Sequence, residues 1–194
     1  MSTDLFKNKY RIPSTRFLNW NYGWEGVYFI TICTKDKEHY FGKIENSEIV
    51  LSNLGIIADV MMYEIKNHSQ NVEIDNYVIM PNHVHCILIL NENDEIHLCR
   101  DKACLVSTTT MESKNEPIGT NRFQNQGKNT ISSIIGSYKS AVTKHAHRLG
   151  FNFEWQSRFH DHIIRNVKEY ENIFNYITEN PLKWEQDKFY TKFL

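Results

Sequence analysis

The chain has 194 residues and a mass of 23.0 kDa, the length of a single domain. Hydrophobic residues make up 41%, charged residues 23% and aromatic residues 13%, which excludes collagenous, low-complexity and wholly disordered chains. A net charge of −1 argues against a uniformly basic protein, yet residues 120–168 carry eight Lys/Arg against only Glu154 and Asp161, a balance that suits a phosphate backbone as well as an ordinary solvated helix face.

Residues 1–26 form a basic and aromatic arm in which Lys7, Lys9, Arg11 and Arg16 alternate with Tyr10, Phe17 and Trp20, without the apolar stretch of a secretory signal. Residues 27–34, Val-Tyr-Phe-Ile-Thr-Ile-Cys-Thr, are β-branched and aromatic and read as a buried strand. Leu54, Ile57, Ala58, Met61, Met62 and Ile65 follow the spacing of an amphipathic helix, with Ser52 or Asn53 as its cap. Residues 72–80 and 83–90 read as strands joined at Pro81-Asn82, either as a hairpin or as one strand with a bulge. From 91 to 129 periodicity gives way to Asn, Glu, Ser, Thr and Gly, the composition of a long, mobile surface insertion. A second helical stripe, Ile131, Ile134, Ile135, Tyr138, Val142, Ala146 and Leu149, runs to a Gly150 cap. Residues 159–165 are a strand candidate. Asn166 and Glu169 then have capping-box spacing, and the helix they open buries Tyr170, Ile173, Phe174 and Ile177 before ending at Asn180-Pro181.

This order predicts an α+β fold of the ferredoxin-like type, an antiparallel sheet with helices on one face plus an extra C-terminal helix. Residues 27–184 make up the domain and 185–194 a tail. The longest apolar run, residues 86–90, is far below the ~18 residues of a membrane span, so no membrane partner is expected. Cys33, Cys86, Cys99 and Cys104 lack paired zinc-finger spacing and read as reduced thiols of a cytoplasmic protein.

Chemistry concentrates at Tyr77-Val-Ile-Met-Pro-Asn-His-Val-His-Cys-Ile-Leu-Ile-Leu90. His83 and His85 are two apart on a strand, so both rings leave one face with Cα atoms roughly 6.5–7 Å apart and can converge on one ion. The alternative is that they bond backbone or water at a sheet end; a His-hydrophobe-His pair just after a turn favours metal. Among ten tyrosines, Tyr138 lies on its helix's apolar stripe and is explained by packing. Tyr176 and Asn180 lie roughly 110° and 70° from the next helix's stripe and are neighbours at i and i+4. Helix geometry alone reads Tyr176 as a surface aromatic.

Met80-Pro-Asn-His83-Val-His85, then Trp155-Gln-Ser-Arg-Phe-His-Asp-His-Ile-Ile-Arg165, then Tyr176-Ile-Thr-Glu-Asn180-Pro181 together resemble the one-tyrosine HUH transposases, and among them the REP-associated tyrosine transposases of bacteria. The resemblance runs from about residue 22, in Tyr-Gly-Trp-Glu-Gly-Val-Tyr-Phe-Ile-Thr-Ile-Cys-Thr34, to Trp184, and stops at the edges of the 91–129 insertion. It implies that His83 and His85 bind a divalent ion, Mg²⁺ or Mn²⁺, with Asn180 as third ligand where related insertion-sequence transposases have glutamine. It further implies that Tyr176 is the nucleophile and hairpin-forming single-stranded DNA the substrate. Arg11, Arg16, Lys139, Lys144, Arg158 and Arg165 are the candidate DNA contacts, and a homodimer is an expectation from relatives.

The implied reaction suits these residue types. A cation held by two imidazoles and an amide oxygen polarises a phosphodiester, and attack by Tyr176 gives a 5′-phosphotyrosine and a free 3′-hydroxyl, conserving the bond energy for rejoining. A phenol of pKa ~10 needs help to lose its proton, and no base is identifiable from the sequence. Two other classes compete: a catalytically silent binder of hairpin DNA or RNA, and a metal phosphodiesterase that uses water.

Overall fold

The computed structural model describes residues 25–69, 71–91 and 129–191. In chain order its elements are β1 (Gly26–Cys33), β2 (Gly42–Glu45), β3 (Glu48–Leu51), α1 (Asn53–His68), β4 (Val72–Met80), β5 (His83–Leu90), α2 (Ile131–Arg148), β6 (His160–Ile164) and α3 (Val167–Glu179). The main sheet runs β4-β5-β1-β6 with every pair antiparallel. That is the expected ferredoxin-like order, produced because α1 and α2 each carry the chain across to a non-adjacent strand.

Strand parity divides the core. Tyr28, Ile30 and Ile32 of β1 and Val84, Cys86 and Leu88 of β5 pack on one face against Leu54, Ala58 and Met62 of α1 and Ile131, Ile135, Tyr138 and Val142 of α2. The intervening residues Phe29 and Ile87, with Val27 and Ile164, meet Tyr170, Ile173, Phe174 and Ile177 of α3 on the other face. Strands covered on both faces need apolar residues at every position, which is why β1 and β5 read as nearly continuous apolar runs. The odd-numbered His83 and His85 therefore lie on the α3 side.

The helix ends follow side-chain chemistry. Ser52 Oγ accepts the Gly55 N–H at 3.0 Å, and Thr130 and Ser133 form a reciprocal capping box. Asn166 Oδ1 accepts the Glu169 N–H at 2.9 Å, but the Glu169 carboxylate takes the Arg165 N–H at 2.8 Å rather than that of Asn166, so the box there is half formed. Gly150, at φ +81, supplies the left-handed residue after α2. Gly55 is required by close approach, since a Cβ there would stand 2.0 Å from the Phe41 carbonyl oxygen.

Pro81 and Asn82 join β4 and β5 as a two-residue hairpin with Met80 paired to His83, and a register shift between Ile74 and Asn76 puts the bulge inside β4. The β2–β3 hairpin was not among the expected elements; its turn residues Asn46 and Ser47 both adopt left-handed φ, the twist that suits a tight hairpin. Arg11, Arg16 and the other arm residues up to 24, residues 92–128 of the insertion, and with them Cys99 and Cys104, lie outside the described residues. Among the described residues Cys33 and Cys86 are buried free thiols, and no helix is long and apolar enough to cross a membrane.

Candidate metal and tyrosine site

His83 and His85 are fully buried, with ring centroids 4.4 Å apart. The Asn82 amide nitrogen donates to the carbonyls of Phe189 at 2.9 Å and Lys37 at 3.2 Å, which turns its oxygen toward His83 Nδ1 at 2.8 Å. That oxygen can only accept, so His83 carries its proton on Nδ1 and its Nε2 is a bare lone pair. Nε2 is buried without a hydrogen-bond partner. His85 is anchored differently. Its Nδ1 lies 2.8 Å from Thr31 Oγ1, opposite it in the β1–β5 register, and a hydroxyl can serve either tautomer.

From α3, Tyr176 brings its hydroxyl to 3.2 Å from His85 Nε2 and donates to Asp187 Oδ2 at 2.7 Å. Asn180, at the end of the same helix, donates its Nδ2 to that carboxylate oxygen at 2.9 Å, leaving its buried Oδ1 without a partner. Tyr176 is 37% exposed and Asn180 only 2%, so one helix turn sets a reachable hydroxyl beside a sequestered amide. Asp187 arrives on the segment after a short 3-10 turn, Trp184–Gln186, and is braced by the Phe189 N–H at 2.6 Å. Phe189 closes the floor, its ring 4.7 Å from that of His83.

Burial holds His83 down to about 3, helped by the charges of Lys188, Lys37 and His39, and burial followed by the neighbouring His83 keeps His85 well below its ordinary value. Both rings are therefore neutral at neutral pH, the state in which imidazole donates a lone pair. Burial and then the Asp187 hydrogen bond raise the Tyr176 phenol above its ordinary value, against the Asn180 amide.

The donor set fits a divalent cation. Ligand atoms of His83, His85 and Asp187 all lie within 4.8 Å of one another, and two buried atoms, His83 Nε2 and Asn180 Oδ1, lack any other partner. Imidazole, carboxylate and amide oxygen together suit Mn²⁺ and Mg²⁺, and Zn²⁺ as well.

Of the residues singled out in the sequence, His83, His85, Tyr176 and Asn180 meet at this point. Tyr138 does not; it is buried on α2 with its hydroxyl donated to the Ala58 carbonyl at 3.1 Å. Lys139 is half-buried, donates to the Gln156 carbonyl at 2.6 Å and lies at the His83 end of β1, where Gln156 N–H bonds the Cys33 carbonyl. Lys144 and Arg158 are exposed, and Arg165 follows Ile164, which pairs with Val27 at the opposite end of β1. Asp187, Phe189, Thr31 and Asn82 were not picked out. Asn82 stood within the quoted Pro-Asn-His motif; Asp187 sits in a polar stretch with no local signal.

No protein-family model matches the chain. An uncharacterised protein of Haemophilus influenzae is 36% identical over 178 residues, 91% of this chain and 92% of that one. The REP-associated tyrosine transposase of Escherichia coli is 26% identical over 111 residues, 57% of this chain and 45% of that one. A solved structure of a REP-associated tyrosine transposase bound to a REP hairpin covers 89% of this chain and 77% of its own, with a TM-score of 0.55 at 22% identity, and so shares the fold. The relative that spans nine-tenths of the chain is thus itself uncharacterised, while the similarity to REP-associated tyrosine transposases covers the fold and the motifs in their order.

Proposed function

We propose that the protein cuts and rejoins single-stranded DNA at hairpin-forming sequences through a covalent bond to Tyr176. The observation that carries this reading is that the Tyr176 hydroxyl touches two members of a ligand cluster, His85 and Asp187, while the cluster keeps bare buried atoms on His83 and Asn180. A surface aromatic has no reason to occupy that place. The hairpin substrate is carried over from the REP hairpin bound by the solved relative.

His83, His85, Asp187 and Asn180 would hold the cation, which when bound supplies charge to a non-bridging phosphate oxygen. The remaining work falls to the chain's own groups. Asp187 accepts the Tyr176 proton at 2.7 Å, so it is placed to take that proton as the phenol oxygen bonds to phosphorus. The bond from phosphorus to the 3′ oxygen breaks, and that oxygen takes a proton from water. Rejoining reverses the same steps with a 3′-hydroxyl as nucleophile, so no external energy source is needed. Phe29 and Phe189, packed about His85 at 5.2 and 5.8 Å between ring centroids, limit water near the phosphotyrosine.

Covalent trapping tests this. Labelled hairpin DNA incubated with the protein and Mn²⁺ should yield an adduct that peptide mapping places on Tyr176. Cleavage without an adduct indicates water as nucleophile, and binding without cleavage indicates a silent binder; either outcome refutes the proposal.

A further inference from the structure

We propose that Lys37 and Lys188 form a two-lysine clamp for a phosphate group of the bound nucleic acid strand, set beside the His83–His85 pair. The clamp rests on the DNA reading above and extends it to residues that neither the motifs nor the ligand cluster include. The Lys188 and Lys37 ammonium groups stand 4.8 and 5.6 Å from the centre of one ring, that of Phe189. The same ring packs on His83 and His85 at 4.7 and 5.8 Å, so two cations from segments about 150 residues apart flank the histidines.

Neither ammonium forms an ion pair with any described residue, whereas Lys35, Lys43 and Lys183 are each matched to a glutamate. Both oxygens of the nearby Asp187 are engaged, by Tyr176 and Asn180 on one side and the Phe189 N–H on the other. Lys37 Nζ donates once, to the Lys188 carbonyl at 3.4 Å, which ties the two lysines together; with no carboxylate on either ammonium, their remaining donors are left to an anion from outside.

The backbone adds an independent sign. Asp36 and Lys37 are consecutive non-glycine residues at φ 53 and 58, a strained conformation that persists only where the surroundings fix it. Here they do: the Lys35 N–H bonds the Glu154 carbonyl at 3.0 Å, and the buried Asn82 amide holds the Lys37 carbonyl at 3.2 Å and the Phe189 carbonyl at 2.9 Å. One side chain thus fastens both lysine-bearing segments to the imidazole it orients.

The test is the salt dependence of dT16 binding in EDTA, where neither metal nor cleavage enters. Each lysine that neutralises a phosphate on a single strand contributes about 0.7 to the log-log slope, so the Lys37→Gln/Lys188→Gln variant should lose about 1.4. Extrapolated from 1 M salt, that is roughly 25-fold weaker binding at 0.1 M. Lys43→Gln, remote on β2, should leave slope and affinity at the parental values. If the parent binds dT16 and the double variant matches it at every salt concentration, the clamp is wrong while the DNA reading stands. A parent that does not bind dT16 overturns the clamp, and one that also fails to bind hairpin-forming DNA removes the DNA reading with it. Inorganic phosphate at matched ionic strength identifies the source: parental binding to phosphate, lost in the double variant while dT16 binding is unchanged, would assign the lysines to a free anion and overturn the proposal. Unchanged melting curves confirm that the variants are folded.

Discussion

Replacing Tyr138 and Tyr176 separately by phenylalanine should give opposite results, because each change removes one hydroxyl from a different setting. Tyr138 is 2% exposed and its hydroxyl bonds the Ala58 carbonyl, which lies inside α1 and also serves as a helix acceptor. Losing that bond costs about 1 kcal/mol, since the carbonyl keeps its helical partner and the ring keeps its packing. For a chain of this length that corresponds to a fall in Tm of about 2–4 °C. Tyr176 is 37% exposed, and when its hydroxyl is removed Asp187 Oδ2 retains the Asn180 amide, so the cost is below about 1 kcal/mol and the Tm moves by less than ~4 °C. Its covalent adduct should vanish, whereas the Tyr138 variant should form adduct near the parental rate. Calorimetric melting and a gel assay for protein-bound labelled DNA read the two axes independently. An adduct at the parental rate in Tyr176→Phe, or its loss in a folded Tyr138→Phe, would show the nucleophile to be misassigned.

Asp187→Asn keeps the shape of the side chain but removes the acceptor of the phenolic proton, and should slow adduct formation by about 10²-fold or more at neutral pH in single-turnover assays; an unaltered rate argues that another group takes the proton. Asn82→Ala frees the His83 tautomer and should weaken Mn²⁺ binding by about 10–100-fold in calorimetry, and equal affinity would refute the orientation argument. The His83 value, down at about 3 when folded against ~6.5 unfolded, means that the fold favours the neutral ring. Its contribution is complete above pH ~6.5 and is lost as pH falls from there toward 3, by about 1.4 kcal/mol per unit in metal-free protein. Urea midpoints of the parent should show that slope and those of His83→Gln a shallower one; parallel curves would contradict it. Gly55→Ala drives a Cβ to 2.0 Å from the Phe41 carbonyl and should cost about 1–3 kcal/mol or more, so a Tm equal to the parent's would mean the Phe41 strand end can shift freely.

Much of this protein is local in its sequence. The helices follow from apolar residues at helical spacing and from Ser52, Asn166 and Gly150 at their ends, and β1 and β5 from apolar runs that only strands covered on both faces require. Period two on β5 settles that His83 and His85 share a face, and i and i+4 on α3 settles that Tyr176 and Asn180 do; both facts hold before any tertiary contact forms. The β2–β3 hairpin carried a legible signal too, Ile44 between Lys43 and Glu45 and then Glu48 leading into the β-branched and apolar Ile49-Val50-Leu51, about an Asn46-Ser47 turn. What the chain could not declare locally is which polar residues complete the site. Asp187 lies in a run that reads as an ordinary solvated turn, and Thr31 and Lys37 look like strand and loop residues of no special kind. Thr31 meets His85 across 54 residues, and Asn82 meets Phe189 across 107. Such partners are selected by sheet register and by the path of the segment after α3, quantities fixed by the packing of the whole domain, and so only the tertiary structure decided that Tyr176 faces a carboxylate and His83 holds a bare nitrogen.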